Sequence, residues 1–311
     1  MGATAALAGA VSVAAAVAAR PGAAPGPPRL AWFDTPNAAV AAALSGVAGG
    51  VVAFGELHQT SATVGIPSAL RRFTDGIFPP LAGRFSHLVI ETWRTTGRCG
   101  ADERVVTADV ERTTERPAQT ESEIEALIRV AYERGVVPRI LSISCADYQS
   151  MRGDHGGAVD YDRTLRITAR ALETAIVRGL GPARSMGEAG GRPDVAAPAP
   201  GPRFVGVYGG ALHNDLHPEP ELAAYSFAPR VLAATLGKLV EIDLVVPEYA
   251  SSSVPVRAQP WWRLYARGPR PGATALITRD PRSFVVIFPR QPRARDRRDG
   301  HDAHRVSPTH R

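Results

Sequence analysis

The stretch Val51-Val52-Ala53-Phe54-Gly55-Glu56-Leu57-His58 is an apolar run that ends abruptly in a glycine, a carboxylate and an imidazole. It has an echo in Phe204-Val205-Gly206-Val207-Tyr208-Gly209-Gly210-Ala211-Leu212-His213. Each reads as a short buried strand followed by G-x-x-H. Unbroken apolar runs of this length suit parallel strands covered on both faces, and a strand that stops by projecting an ionisable side chain is a poor way to fill a core. In open α/β sheets the carboxyl ends of the strands form the crevice where ligands bind. Two identical solutions in one chain favour function over packing.

Working outward, Ser86-His87-Leu88-Val89-Ile90-Glu91 and Arg139-Ile140-Leu141-Ser142-Ile143-Ser144 read as further strands, the second leading into Cys145-Ala146-Asp147-Tyr148. Leu239–Val246 follows, and Ala273–Thr278 with Ser283–Phe288 reads as a terminal hairpin. Between them, Pro36 to Ala48 predicts a helix stopped at Gly49-Gly50. Glu123–Arg134 carries Ile124, Leu127, Ile128 and Ala131 on one face, and Tyr161–Gly179 carries Leu165, Ala169, Leu172 and Ile176. A further helix is expected near Pro229–Leu236. Residues 94–120, polar and interrupted by Gly97, Gly100 and Pro117, read as a long excursion bordering a site. The expected fold is α/β: a mainly parallel central sheet flanked by helices, with a C-terminal antiparallel hairpin.

The expected organisation is one domain over 31–289. It is preceded by a signal-like alanine-rich segment and a Pro/Gly linker (1–30), interrupted by a Pro/Gly-rich insertion (181–203) and followed by a basic tail (290–311). Residues 3–19 are too short and too weakly apolar for a good spanning helix and lack a positive leading region, so a weak secretory signal fits better than a membrane anchor. The expectation is a periplasmic or secreted protein with no integral membrane span. The formal charge is +6, but the tail holds seven Arg and three Asp, so the body is nearly neutral and a nucleic-acid partner is disfavoured. Small-molecule or peptide substrates remain. The two cysteines, Cys99 and Cys145, each follow a strand end, leaving a disulfide or two unrelated buried thiols as the alternatives.

Right-handed crossovers place the carboxyl ends of parallel strands along one edge, so Glu56, His58, Glu91, Asp147 and His213 are expected to converge. Two imidazoles with two or three carboxylates can bind Zn, Mn or Fe, or can run acid and base catalysis without a metal. Gly55-Glu56-Leu57-His58, the Glu91 that ends Val89-Ile90-Glu91, and Gly210-Ala211-Leu212-His213 resemble the defining pattern of a superfamily. It joins Tiki proteases, TraB-like proteins, erythromycin esterases and ChaN-type haem-binding proteins.

The resemblance spans roughly Val51 to His217. It implies a site of Glu56, His58, Glu91 and His213 that binds metal through His58, Glu91 and His213 or activates water, with Glu56 as general base. Arg94, three residues after Glu91, resembles the arginine of the esterase branch and would hold an oxyanion. Asp215 would orient His213, while His217 departs from the spacing. In the haem-binding branch a Tyr or His is the axial ligand, for which Tyr148 or Tyr208 stands available. The leading expectation is thus an ester- or amide-bond hydrolase, with a haem- or iron-binding protein without turnover, or a degenerate interaction surface, as alternatives.

Plainer readings exist for the same residues. His58 could be a structural histidine bonded to Glu91, and Glu56 with Glu91 a polar network fixing the sheet edge. His87 reads as a surface residue and His155 as a loop residue. Trp261-Trp262 reads as buried against the final hairpin, and His301, His304 and His310 as part of a solvated tail.

Overall fold

A computed structural model describes residues 27–152, 158–181 and 203–291. The strands are β1 (Arg29–Phe33), β2 (Gly50–Glu56), β3 (Phe85–Trp93), β4 (Val137–Leu141), β5 (Phe204–Gly210), β6 (Leu239–Val245), β7 (Thr274–Asp280) and β8 (Ser283–Ile287). They form an eight-stranded sheet in the order β1-β7-β8-β6-β2-β5-β3-β4. β7 runs antiparallel to both β1 and β8, and every other neighbouring pair is parallel. The α/β class and the antiparallel C-terminal pair are therefore those that the sequence predicts.

The helices are α1 (Pro36–Ala43), α2 (Ala69–Arg72), α3 (Phe78–Leu81), α4 (Gly100–Thr114), α5 (Gln119–Glu133), α6 (Cys145–Met151) and α7 (Tyr161–Leu180). After β5 come α8 (Ala211–Asn214), α9 (Ala228–Ala234), α10 (Pro247–Ser252), α11 (Val254–Ala258) and α12 (Pro260–Ala266). Alternation along the strands sends Val52, Phe54, Leu88, Ile90, Phe204 and Tyr208 to one face, against α1, α2, α3 and the Leu127–Ala131 side of α5. Val51, Ala53, Val89, Val205 and Val207 face α7 and α9 on the other. Phe54, Phe73, Phe78, Phe85 and Phe204 are fully buried in mutual contact. Each such ring contributes about 1.5–3 kcal/mol by burial. This apolar cluster, rather than any single polar contact, fixes the sheet beneath the site. Trp261, Trp262 and Tyr265 pack on Ala275, Ile277, Val285 and Ile287 of the last hairpin, as expected.

Several local readings are corrected. β1 lies partly in what reads as linker; it is recognisable only through its pairing with β7. α1 stops at Ala43 rather than Ala48, because Leu44 caps it and Gly46 takes a left-handed conformation (φ 77°). Residues 94–120 are mostly helix: α4 lacks a strong apolar stripe, and its place is set by Val106 packing on Tyr148, Met151 and Ile167 together with polar anchoring. The buried carboxylate of Glu103 accepts from the amides of Thr96, Gly97 and Cys99. β4 ends at Leu141, so Cys145 to Tyr148 lie on α6. His87 is buried inside β3, its Nε2 accepting from Arg139 at 3.1 Å. Burial, reinforced by the Arg139 charge, pushes its pKa below the usual imidazole value.

Cys99 and Cys145 form a disulfide that ties the start of α4 to the start of α6. Among the described residues no helix is long and apolar enough to cross a membrane. The signal-like segment to residue 26, the loop with His155, the insertion over 182–202 and the tail from 292 lie outside the described residues.

Candidate active site

The chain leaves β2 toward β3 and leaves β5 toward β6, in opposite directions across the sheet. Adjacent parallel strands that diverge in this way open a crevice at their carboxyl ends. β2 and β5 are in direct register, with Gly55 opposite Gly209 and Glu56 opposite Gly210. β5 also pairs with β3, so the ends of β2, β5 and β3 bring His58, His213 and Glu91 to one edge.

Glu56, the last residue of β2, is buried, and both of its carboxylate oxygens are engaged. Oε2 accepts from the Tyr208 phenol at 2.5 Å, and Oε1 lies 2.8 Å from His58 Nδ1. Burial, followed by the Glu56 charge and hydrogen bond, pushes the Tyr208 phenol well above its usual value, so it remains a donor. His58 Nε2 lies 2.8 Å from Nη2 of Arg116. A guanidinium only donates and a carboxylate only accepts. His58 is therefore the Nδ1–H tautomer with its Nε2 lone pair turned outward.

Glu91 sits near the end of β3, and its Oε2 accepts from the Gly210 amide at 2.6 Å. Its Oε1 faces His213 Nε2 at 3.7 Å and Arg116 Nη2 at 3.9 Å. Burial acts to raise the Glu91 pKa, but electrostatic interaction with His213, His58 and Arg116 and the Gly210 amide hydrogen bond more than offset it, and the net shift is downward. Glu91 is thus an ionised carboxylate at neutral pH. Because its folded pKa lies below the ordinary value of 4.5, the unfolded chain takes up the proton first as pH falls. The stability Glu91 contributes is fully present above that ordinary value and is lost as pH drops through the depressed folded one. Glu91→Gln is expected to be less stable than wild type at pH 7, with the gap closing below about pH 4; parallel denaturation curves at all pH values would contradict this.

The glycines of β5 make this approach possible. A Cβ on Gly209 would stand 2.4 Å from Glu91 Oε2 and 2.8 Å from Glu91 Cβ, and one on Gly210 would stand 2.9 Å from His58 Nε2. Gly55 is as crowded, with the Asn214 amide 2.5 Å from its Cβ position. Gly209→Ala is expected to cost about 1–3 kcal/mol by overpacking, and an unchanged urea midpoint would show that the strands tolerate the methyl group.

His213 lies on α8 and is buried, with Nδ1 2.7 Å from the carbonyl oxygen of Tyr225. That carbonyl, not Asp215, orients the ring; Asp215 instead accepts from the His217 amide, and His217 Nε2 lies 3.0 Å from Asp280. Arg94 is exposed on the cleft wall, and the guanidinium at the centre is that of Arg116, which sequence reading missed. Arg116 follows α4 immediately after Glu115, a left-handed cap (φ 48°). Nothing in the chain near Glu91 marks it. Asp147 is spent on capping α6, where it bonds Ser144.

The cleft occupies about 1020 Å³ and is lined by His58, Glu91, Arg116, Tyr161, Gly210 and His213, with apolar walls from Val110, Ile124, Ile128 and Leu165. Tyr161 is a second residue that sequence reading passed over. Burial raises its phenol pKa, with the Arg116 charge opposing and the Glu91 charge reinforcing. Neither tyrosine considered as a haem ligand offers its oxygen to this cleft. Tyr208 is bonded to Glu56, and Tyr148 packs in a separate cluster with Val106, Met151 and Ile167.

The expected divalent metal can be tested against the donor atoms. Glu56 and the Tyr225 carbonyl hold the two rings as outer partners hold metal-binding histidines. Yet the His58 lone pair that an ion would take is already directed at a guanidinium. Among the described residues no three His, Cys, Asp or Glu side chains form a group able to hold an ion. In this arrangement the residues do not fit a resident metal. The chain matches no protein-family model, no curated protein and no solved structure at a significant level.

Proposed function

We propose that the chain is an exported hydrolase that cleaves an ester or amide bond in a small-molecule or peptide substrate, with His58 as its general base. The observation that carries this reading is the buried Tyr208–Glu56–His58 relay, which leaves His58 Nε2 at the floor of a cleft beside a guanidinium. A histidine whose Nδ1–H is fixed on a carboxylate has the tautomer and orientation required to take a proton at Nε2. The disulfide is compatible with an oxidising, extracytoplasmic compartment.

In this mechanism the substrate carbonyl draws Arg116 away from His58, which frees the Nε2 lone pair for a water molecule. His58 accepts a proton from that water as its oxygen bonds the carbonyl carbon, and Glu56 stabilises the resulting imidazolium. The carbonyl π pair becomes the oxyanion, which Arg116 receives as donor. As the intermediate collapses, His58 passes its proton to the leaving oxygen or nitrogen, the bond to the carbonyl carbon breaks, and the alcohol or amine departs. Glu56 acts through His58 and is a positioning residue rather than the base. Glu91 holds Arg116 and His213 in place. The test is turnover of p-nitrophenyl esters and acyl anilides of increasing chain length by wild type and His58→Ala. Absence of turnover across that panel, or equal rates in both proteins, would sink the proposal.

A further inference from the structure

We propose that the groove between β4 and α7 is a second binding site, built for a multiply charged oxyanion of the phosphate or sulfate type. None of His58, Glu91, Arg116 and His213 lines this groove, although Pro138 and Ile140 of β4 form a wall that it shares with the cleft. Its volume of about 430 Å³ is that of a small-molecule site. Three arginines face it. Arg170 and Arg178 are exposed on one stripe of α7, with Thr174 between them, and the half-buried Arg139 comes from β4. Eight residues of helix separate the first two by about 12 Å along the axis, so their long side chains can reach an occupant from either end.

What singles these arginines out is the missing counter-charge. Among the described residues, ion pairs engage other arginines, and none of these three has a carboxylate within reach. The one acidic residue on the groove wall, Asp147, is held by the Ser144 hydroxyl and amide as part of the α6 cap. Arg139 donates through Nη2 to His87 Nε2 at 3.1 Å, and its Nε is buried without a partner. A neutral imidazole accepts that bond but brings no charge. Arg139 is therefore a half-buried cation without a counter-ion, a costly arrangement that an anion in the groove relieves. Like charges around one concavity focus a positive field, and guanidinium forks take phosphate or sulfate oxygens in pairs. Three guanidinium charges against one carboxylate leave a surplus of two, which a dianion matches better than a monocarboxylate. Neutral donors stand on the same wall. Ser142 adds a hydroxyl, and β4 ends the sheet, where alternate amides of an edge strand point away from its neighbour.

The experiment is calorimetric titration of inorganic phosphate, phenyl phosphate and acetate, each separately, into the full chain at low ionic strength, where charge pairing is least screened. Wild type is compared with Arg139→Gln and with Arg170→Gln/Arg178→Gln. The expected result is a wild-type Kd for phosphate below about 1 mM, weakened at least about tenfold in either variant, with acetate bound far more weakly. Phenyl phosphate binding tighter than phosphate would identify a phosphate ester as the occupant, and equal binding would identify the free anion. The double variant changes only exposed positions of α7, so it decides the matter even if Arg139→Gln fails to fold. Affinity unchanged in the double variant would assign the anion to the arginine-rich tail and overturn the proposal. No wild-type binding of phosphate or phenyl phosphate, or acetate bound as tightly as phosphate, would also overturn it. The readout is binding by residues outside the hydrolytic set, so its failure leaves the hydrolase reading to be judged by turnover alone.

Discussion

His58→Ala should abolish hydrolysis, lowering kcat/KM by about 10²–10⁴, the range in which a positioned general base operates. The expectation follows from how completely the ring is committed: one nitrogen is bonded to Glu56, and the other points into the cleft. His58→Gln keeps polar atoms of similar reach but cannot accept and return a proton, and it should be as inactive as alanine. Glu56→Gln should fall between, because an amide can present its NH₂ to Nδ1 and favour the wrong tautomer. Thermal denaturation must show all three variants folded. Should His58→Gln retain more than a tenth of wild-type turnover, proton transfer at this position is not what limits the reaction, and His58 is a structural histidine.

Removing the disulfide, as Cys99→Ser/Cys145→Ser, should cost about 4 kcal/mol by the loop-entropy relation, given a separation of 46 residues. For a domain of this size that corresponds to a fall of about 10 °C in Tm. The loss should not be confined to global stability. α4 supplies Thr107, Val110, Glu111 and Thr114 to the cleft wall and leads into Arg116. Its other fixings are the packing of Val106 on Tyr148, Met151 and Ile167, the Glu103 carboxylate on the loop amides and an Asp102–Arg152 ion pair at 2.6 Å. Native-state hydrogen exchange should therefore quicken first in α4. Reduction of the wild-type protein with dithiothreitol should reproduce both effects. A Tm that neither the double substitution nor reduction moves would show that the bridge constrains nothing the fold does not already hold.

Much of the central sheet was legible because its signals are local. β2, β3, β5 and β6 are nearly unbroken apolar runs, and such runs have few soluble solutions other than a strand covered on both faces. Their polar ends announced the edge that matters, and Glu56, His58, Glu91 and His213 do meet at the ends of β2, β3 and β5. α4 was illegible because it carries only a weak apolar stripe. Its place is held by the Glu103 carboxylate on the preceding loop, by Val106 against Tyr148, Met151 and Ile167, and by a covalent tie to a residue 46 positions away. β1 and the run of short helices after β6 were missed because partners distant in sequence define them.

By itself, the sequence determined that parallel strands would end in carboxylates and imidazoles on a single rim, since burial pattern and chain direction are properties of short segments. Only the tertiary structure decided which cation neutralises that rim and which atoms orient its rings. Arg116 replaced Arg94 at the centre, and the Tyr225 carbonyl replaced Asp215 behind His213. Tyr208 turned to Glu56, and Glu56 to His58. Where a side chain points from a loop is fixed by the packing and hydrogen bonds of whatever lies opposite, and what lies opposite is chosen by the fold as a whole.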